Sequence, residues 1–511
     1  MVKQLLLKQG SGWLLPLGLL FCWWQISQHG WMSAQILPSP AIVLESARDF
    51  IPQDLLRELP ISLWRLAVGL TGGIVLGFLL GVAFGLSQPV YRLVMPLFTV
   101  LVQIPTLAWI PLLMLLLGIG EALKLTILIK AVAVPVALYT CAGVQQIPPK
   151  LAEMAQSLRL TPWVYGRRLV LPALLPFLMT GIRLAFSQGW VSLIAVELLA
   201  SSEGLGYLLV QSRQLFMLDL VYVCVAVIGA FGFAGERLLL ALSQRWIYWP
   251  APVADAGNLP TAGARDLRGW LLPLALVLVW QLASTLDGLN SAFFSSPLAV
   301  GQALFTGLLQ GNLSHELVAS LLRMLQGFVI GAVAGLLLGG LTGSSLWADR
   351  VFTPLFSALR SVAIFAWLPL ITAWFGLGES ARVAFIALAS FFPVLLATHQ
   401  GITQLPPSLR EVSRALRLSW LSRLRYLVLP GILPSLFTGL RIGMMHAWVG
   451  TTGAEYFVSS GEGLGSMMMR AQQLLAADRI LAGIVLTALV AAAVSWAIGG
   501  IERRLTAWRS L

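Results

Sequence analysis

Three residue types recur at one spacing in two places along the chain: Arg183, Trp190 and Glu197, then Arg441, Trp448 and Glu455. Steps of seven residues keep each trio on one helical face, with Arg and Glu roughly 21 Å apart along the axis. Both trios lie in strongly apolar surroundings. Charged side chains are expensive inside a bilayer and turn toward a bundle interior or a water-filled passage. The chemistry open to them is therefore electrostatic: two facing stripes whose arginines draw an anion inward. The plainer alternative has each Arg snorkelling to the cytoplasmic headgroups and each Glu reaching the outer interface. The three cysteines, Cys22, Cys141 and Cys224, lack metal-ligand spacing and read as buried packing residues. The four histidines form no pair at ligand spacing, and His446, deep in an apolar run, reads as a polar interior contact.

The elements that must carry these residues follow from composition. The 511 residues are 58% hydrophobic and 11% charged, with a mean hydropathy of +0.85. A soluble domain carries about 25% charged residues. Runs such as 66–86 and 480–498 exceed 18 residues and can cross a hydrocarbon core of about 30 Å as helices. The alternating ten-residue pattern of a membrane β-barrel is absent. The net charge of +12 sits in short loops between apolar runs, which is a mark of membrane topology and not of nucleic-acid binding. The fold class is all-α and polytopic.

The chain also contains itself twice. A shift of 258 residues pairs Gly69, Gly73, Gly77, Gly81 and Gly85 with Gly327, Gly331, Gly335, Gly339 and Gly343. It pairs Trp109 with Trp367, Pro111 with Pro369 and Pro135 with Pro393, and 18 of the 36 residues in 148–183 are identical in 406–441. This is a tandem duplication. The division expected is a first repeat over 1–248, a linker over 249–269 rich in Pro, Gly, Ala and Asp, and a second repeat over 270–511. Six spans fit each half, near 11–28, 62–86, 94–118, 122–142, 174–200 and 218–242, then 270–286, 320–344, 352–376, 382–401, 432–458 and 480–500. About twelve spans in two parallel repeats result. Lys and Arg concentrate on the side that puts both termini in the cytoplasm. The N-terminal run could pass for a cleavable signal, but its counterpart WLLPLALVLVWQLAS lies deep inside the chain, so it is read as a span. The glycine ladders, recurring every four residues, predict close helix packing.

The longest cytoplasmic loop of each half, 148–172 and 406–430, carries a short amphipathic helix. Leu151, Met154, Ala155 and Leu158 follow helical spacing, with mates Leu409, Val412, Ser413 and Leu416. Thr161 and Ser419 are placed to cap the helix that follows. An apolar stripe with a polar rim suits a partner's groove; a helix lying on headgroups, held by Arg167 and Arg168, is the alternative.

These loops resemble the EAA loop of ABC-importer permeases. Glu153-Met154-Ala155 leads to Leu171-Pro172, and Glu411-Val412-Ser413 leads to Leu429-Pro430. The continuations AVELLASSEGLGYLL and GAEYFVSSGEGLGSMM resemble the nitrate/sulfonate/taurine branch of that family. The resemblance implies the type I importer permease fold, with two permease domains fused. It implies that Glu153, Ala155, Leu158 and Arg159, with Glu411, Ser413, Leu416 and Arg417, couple the chain to two cytoplasmic ABC ATPase subunits. A solute-binding protein would deliver a small anionic solute at the outer face of the bacterial inner membrane. No cofactor is expected on this chain; ATP and Mg belong to the partner, and no G-x-x-x-x-G-K-[ST] loop occurs. One departure stands out. Family members usually carry Gly six residues after the Glu, where this chain has Arg159 and Arg417, so a glycine-dependent bend is in doubt and an added contact to an acidic partner surface becomes open.

Two other classes compete. A self-sufficient secondary transporter also has 6+6 parallel halves, but the segment between spans two and three, QPVYR, lacks that class's basic, Asp-containing motif. A membrane-embedded enzyme would need a repeated carboxylate pair or histidine cluster, and neither is present.

Overall fold

The computed structural model describes residues 14–33, 35–147, 153–155, 157–247, 267–285, 295–406, 408, 411, 415–417, 419–458 and 461–505. Among them every regular element is helical. The first half runs α1 (Leu14–Gln28), α2 (Pro40–Phe50), α3 (Leu56–Leu86), α4 (Gln88–Gln103), α5 (Ile110–Leu117), α6 (Glu121–Gln145), α7 (Leu171–Ala200), α8 (Leu205–Gln214) and α9 (Leu218–Trp246). The second half repeats that order as α10 (Leu271–Ala283), α11 (Pro297–Leu309), α12 (Asn312–Ser344), α13 (Leu346–Ser361), α14 (Leu368–Phe375), α15 (Glu379–Thr403), α16 (Leu429–Phe457), α17 (Leu464–Gln473) and α18 (Ala477–Leu505). All of the linker expected at 249–269 except 267–269 lies outside the described residues.

The polytopic all-α class holds, but the count of straight spans differs from twelve. Among the described residues eight helices are long and apolar enough to cross a membrane, and ten if each bent pair counts as one span. The bent pairs are the segments expected as straight spans at 94–118 and 352–376. Between α4 and α5 the chain turns by 90°, and between α13 and α14 by 95°. In the first half, Pro105 biases Ile104 out of the helical region, and Ile104 is extended at φ −75°, ψ 117°. The second half makes the same turn without proline, through Val362 (φ −68°, ψ 124°) and Ala363 (φ −53°, ψ 126°). The bend does not require proline. The first helices, α1 and α10, have 15 and 13 described residues, short of a full crossing. The sequence reading also passed over the short helices α2, α8, α11 and α17.

The glycine ladders do pack helices closely. A Cβ on Gly73 would stand 2.5 Å from Val132 Cβ, and one on Gly81 2.5 Å from Thr140 Cβ. In the second half a Cβ on Gly339 would stand 2.6 Å from Leu395 O. The backbones of α3 and α6, and of α12 and α15, touch along these stripes, so dispersion contacts replace the hydrophobic drive that lipid cannot supply.

The two halves interlock. Helix α1 reaches across to α13, and α10 to α4; a Cβ on Gly269 would meet Pro96 Cγ at 2.7 Å. One apolar core runs through both halves, joining Leu107, Ile110, Trp190 and Cys224 to Phe365, Leu368, Tyr456 and Ile480. The outward faces stay apolar and exposed, as at Leu79 and Leu337, which is the pattern of a lipid-facing surface. Cys141 and Cys224 are buried as expected, whereas Cys22 is exposed, because α1 sits at the rim of the bundle with few neighbours. His446 is also exposed, its Nδ1 2.9 Å from Ile442 O of its own helix; it is not an interior contact between helices.

Candidate functional site

The apolar, proline-started helix α7 carries the first Arg–Trp–Glu trio, and α16 carries the second. Each begins with a π-helical turn, Gly166–Val170 or Leu424–Val428, followed by a Leu-Pro step. Proline is tolerated there because the first turn leaves its N–H groups unpaired in any case.

At the far end of α7, Glu197 neither lines a passage nor reaches an interface. Its side chain is completely buried. Arg65 Nη1 donates to it at 2.9 Å, Ser62 Oγ at 2.8 Å and the Gly206 backbone N–H at 3.0 Å. Arg65 continues to Glu121 at 2.6 Å, and Lys124 joins the same carboxylate at 2.9 Å. The first N–H groups of α8 are satisfied by this cluster too: Gly204 donates to Glu58 at 2.6 Å and Leu205 to Ser62 at 2.9 Å. A helix start buried against carboxylates is favourable for both hydrogen bonding and dipole direction. The second half repeats the set. Arg323 contacts Glu455 and bonds Glu379 at 2.6 Å, Leu464 donates to Ser320 at 2.9 Å, and Gly465 donates to Glu455 at 2.7 Å. Buried charges survive only when paired and fully hydrogen-bonded, and this clasp ties α3, α6, α7 and α8 at one end of the membrane region. Glu197 and Glu455, singled out for a substrate path, are both held in this clasp.

The other members of the trios part company. Arg441 pairs with Glu502, and Trp448 Nε1 donates to Thr487 O at 3.1 Å. Arg183 and Trp190 instead line a small cavity between the halves. The two stripes are therefore not equivalent.

The loops present their residues outward. Glu153 begins a helical turn and is exposed, while Ala155 is buried at 4% exposure. Met154 and Leu158 stand 58% and 69% exposed, and in the second loop Leu416 stands 65% exposed. Glu411 is exposed as well; Ser413 and its neighbours Val412 and Arg414, with Leu151 and Leu409, lie outside the described residues. Thr161 Oγ1 accepts from Val164 N at 3.5 Å and Ser419 Oγ from Ser422 N at 3.3 Å, so both caps form. The bend that glycine would provide is present without glycine. Arg159 has φ 44° and Arg417 φ 47°, left-handed backbone in both copies. Leu160 N closes the turn on Ala155 O at 3.1 Å.

Comparison with known proteins agrees with this geometry. The family model described as binding-protein-dependent transport system inner membrane component matches residues 73–248 and again 327–507. Together these cover more than half of the chain. The chain belongs to that family. Both matches contain an EAA loop and a clasp glutamate, so this is a tandem pair of permease domains, the membrane-spanning part of an ABC transporter. A Bacillus subtilis (strain 168) protein named for aliphatic sulfonates transport, the permease protein SsuC, is 32% identical over 267 residues, 50% of this chain and 96% of its own length. The taurine transport system permease protein TauC of Escherichia coli (strain K12) is 32% identical over 241 residues, 46% of this chain and 88% of its own. The bicarbonate transport system permease protein CmpB of Synechococcus elongatus is 34% identical over 257 residues, 48% of this chain and 89% of its own. Each relative is about one half of this permease long.

The sequence reading missed the clasp partners Glu58, Ser62, Arg65 and Glu121. A signal was present: they pair with Glu316, Ser320, Arg323 and Glu379 at the same shift of 258 residues. Three polar positions repeated at the end of one apolar span, with a fourth at the start of another, mark a shared buried network.

Proposed function

We propose that this chain is the complete translocation channel of an ATP-driven importer for a small anionic solute of the sulfonate or bicarbonate kind. Each repeat, 1–248 and 270–511, takes the place of one permease subunit. A separate cytoplasmic ABC ATPase docks on each EAA loop, and ATP with Mg2+ is bound there and not on this chain. A solute-binding protein delivers cargo from outside, and both termini face the cytoplasm of a bacterial inner membrane. The solute class rests on the relatives named for sulfonates, taurine and bicarbonate.

The observation that carries the docking is the pair of exposed loop turns, each with a large apolar side chain held out of the protein, Leu158 and Leu416. A short helix with uncovered apolar residues beside an acidic and a basic one suits a groove on a protein partner. Alternating access follows from that attachment. Closure of the two ATPases on ATP moves the loops, and the π-helical turns pass the movement straight into α7 and α16.

The test is co-purification of the tagged full chain from its native membrane. An ATPase should accompany it and be lost from the Glu153→Lys, Glu411→Lys double variant. A chain that purifies alone and drives uptake into liposomes without ATP would return the function to a secondary transporter.

A further inference from the structure

The cavity between the halves holds about 50 Å3 and is lined by Arg183 and Trp190 of α7, Gly232 and Glu236 of α9, and Arg360 and Ser361 at the bend after α13. Its donors are partly unspent. Trp190 is 3% exposed, yet among the described residues its indole Nε1 has no hydrogen-bond partner. Arg183 Nε is likewise buried without a partner among the described residues. Arg360 Nη2 bonds Glu236 at 2.8 Å, which leaves further guanidinium N–H groups for another acceptor. An unpaired buried N–H is costly, and four or more donors around one small space call for an acceptor-only group.

The mirror position in the duplicated chain is built differently. The bend residues Arg360 and Ser361 correspond to Val102 and Gln103, and Phe186 and Ser187 of α7 correspond to Met444 and Met445. Gly461 is one extra residue in the second half, so α9 and α18 match at a shift of 259 and Glu236 corresponds to Ser495. On that side Arg441 Nε is also buried without a partner among the described residues, but the Arg441 charge is paired with Glu502, whose counterpart is Ser243, and Trp448 has its acceptor. Lys130, beside the first-half bend, lies 5.4 Å over the Trp109 ring with its Nζ 3.4 Å from Ile104 O.

We propose that the cavity is a single, one-sided binding site for a compact monovalent oxyanion, formed by Arg183 and Trp190 of the first half with Arg360 of the second. The two guanidinium groups supply charge-assisted hydrogen bonds and the indole N–H fixes orientation. Glu236 offsets part of the positive charge, so that the anion is held weakly enough to leave. The bound group is the sulfonate or carbonate end of the solute, since the space admits only a few heavy atoms. A chain carrying both halves can place this site on one side alone.

The site rests on the importer reading for its choice of probe. The full-length chain in lipid nanodiscs is titrated calorimetrically with sodium methanesulfonate and, separately, sodium bicarbonate, with choline chloride as a cation control. Saturable binding of either anion at one site per chain is expected, with none for choline. Arg183→Ala and Arg360→Ala should each weaken it about tenfold or more, and Arg441→Ala less than about twofold. Trp190→Phe keeps an aromatic ring but removes the N–H, so it should still fold, with a somewhat lower melting temperature, and bind about threefold more weakly. Equal losses in Arg183→Ala and Arg441→Ala, an unchanged Trp190→Phe, or binding of neither anion would overturn the site. A parent chain that brings down its ATPase yet binds neither anion sinks the cavity and leaves the importer standing; absence of the ATPase sinks the importer whatever the titration gives.

Discussion

Arg65 and Glu197 face each other at 2.9 Å with their side chains 1% and 0% exposed, and Arg323 and Glu455 repeat the contact in the other half. The pair is a clamp and not a wire. It holds the end of α7 against α3 in the first lobe and the end of α16 against α12 in the second.

Removal of one partner should therefore be severe. Arg65→Ala strips the buried Glu197 of its ion-pair partner, and a loss of about 3–5 kcal/mol is expected; Glu197→Ala should cost less, because Arg65 keeps Glu121 at 2.6 Å. The Arg65→Ala, Glu197→Ala double variant should cost less than the sum of the two, because neither charge then remains. Glu121, 46% exposed, should be much more tolerant as Gln. Thermal unfolding in detergent, read by near-ultraviolet circular dichroism, orders the four variants.

The left-handed arginines make the opposite prediction. Arg159 at φ 44° and Arg417 at φ 47° each hold a backbone geometry that costs a side chain roughly 1–2 kcal/mol and glycine almost nothing. Arg159→Gly, Arg417→Gly should fold at least as well as the parent, with no greater amide hydrogen exchange around 155–160. Any loss of ATPase capture in that variant then assigns the guanidinium to the partner surface and not to the bend. Arg159→Val should raise exchange in the same segment.

Packing between α3 and α6 sets a third expectation. A Cβ at Gly81 would lie 2.5 Å from Thr140 Cβ and 2.6 Å from Ala137 O, whereas one at Gly340 meets nothing within 4 Å. Gly81→Val should cost about 1–3 kcal/mol by forcing the helices apart. Gly340→Ala should be neutral or add up to about 1 kcal/mol through the helix backbone. Expression level and melting temperature of the pair, measured side by side, decide it.

The bridge between the halves should matter little for stability. Arg360 and Glu236 are 42% and 39% exposed, and such pairs are worth about 0–1 kcal/mol. Arg360→Ala should melt within a few degrees of the parent. A larger fall would mean that its anion-binding result reports unfolding.

Much of this molecule was legible before any coordinates. The 3.6-residue and four-residue patterns gave the long helices and their glycine faces, and the internal shift gave the duplication. The loops could be read because their prolines, caps and repeated charges are local. The bends at 104–105 and 362–363 were not legible: an apolar run long enough to cross a bilayer carries no mark of direction, and the second copy turns without a proline. Glu197 was singled out as an expensive charge in an apolar span, but the clasp that holds it was not foreseen. Its side-chain partners Arg65 and Ser62 lie 132 and 135 residues away in sequence, and periodicity along one helix cannot show which neighbouring helix supplies the counter-charge. The asymmetry between Arg183 and Arg441 was hidden for the same reason, since it depends on Glu236, Arg360 and Glu502 from other helices.

Because Leu158 and Leu416 belong to one polypeptide, a donor dye at one and an acceptor dye at the other would report loop-to-loop separation without ambiguity. A pair of identical chains would carry every label twice and return a mixture of distances. Of the three native thiols only Cys22 is exposed and would need replacing; Cys141 and Cys224 are shielded. Single-molecule traces could then follow each turnover stroke of one transporter, lobe by lobe.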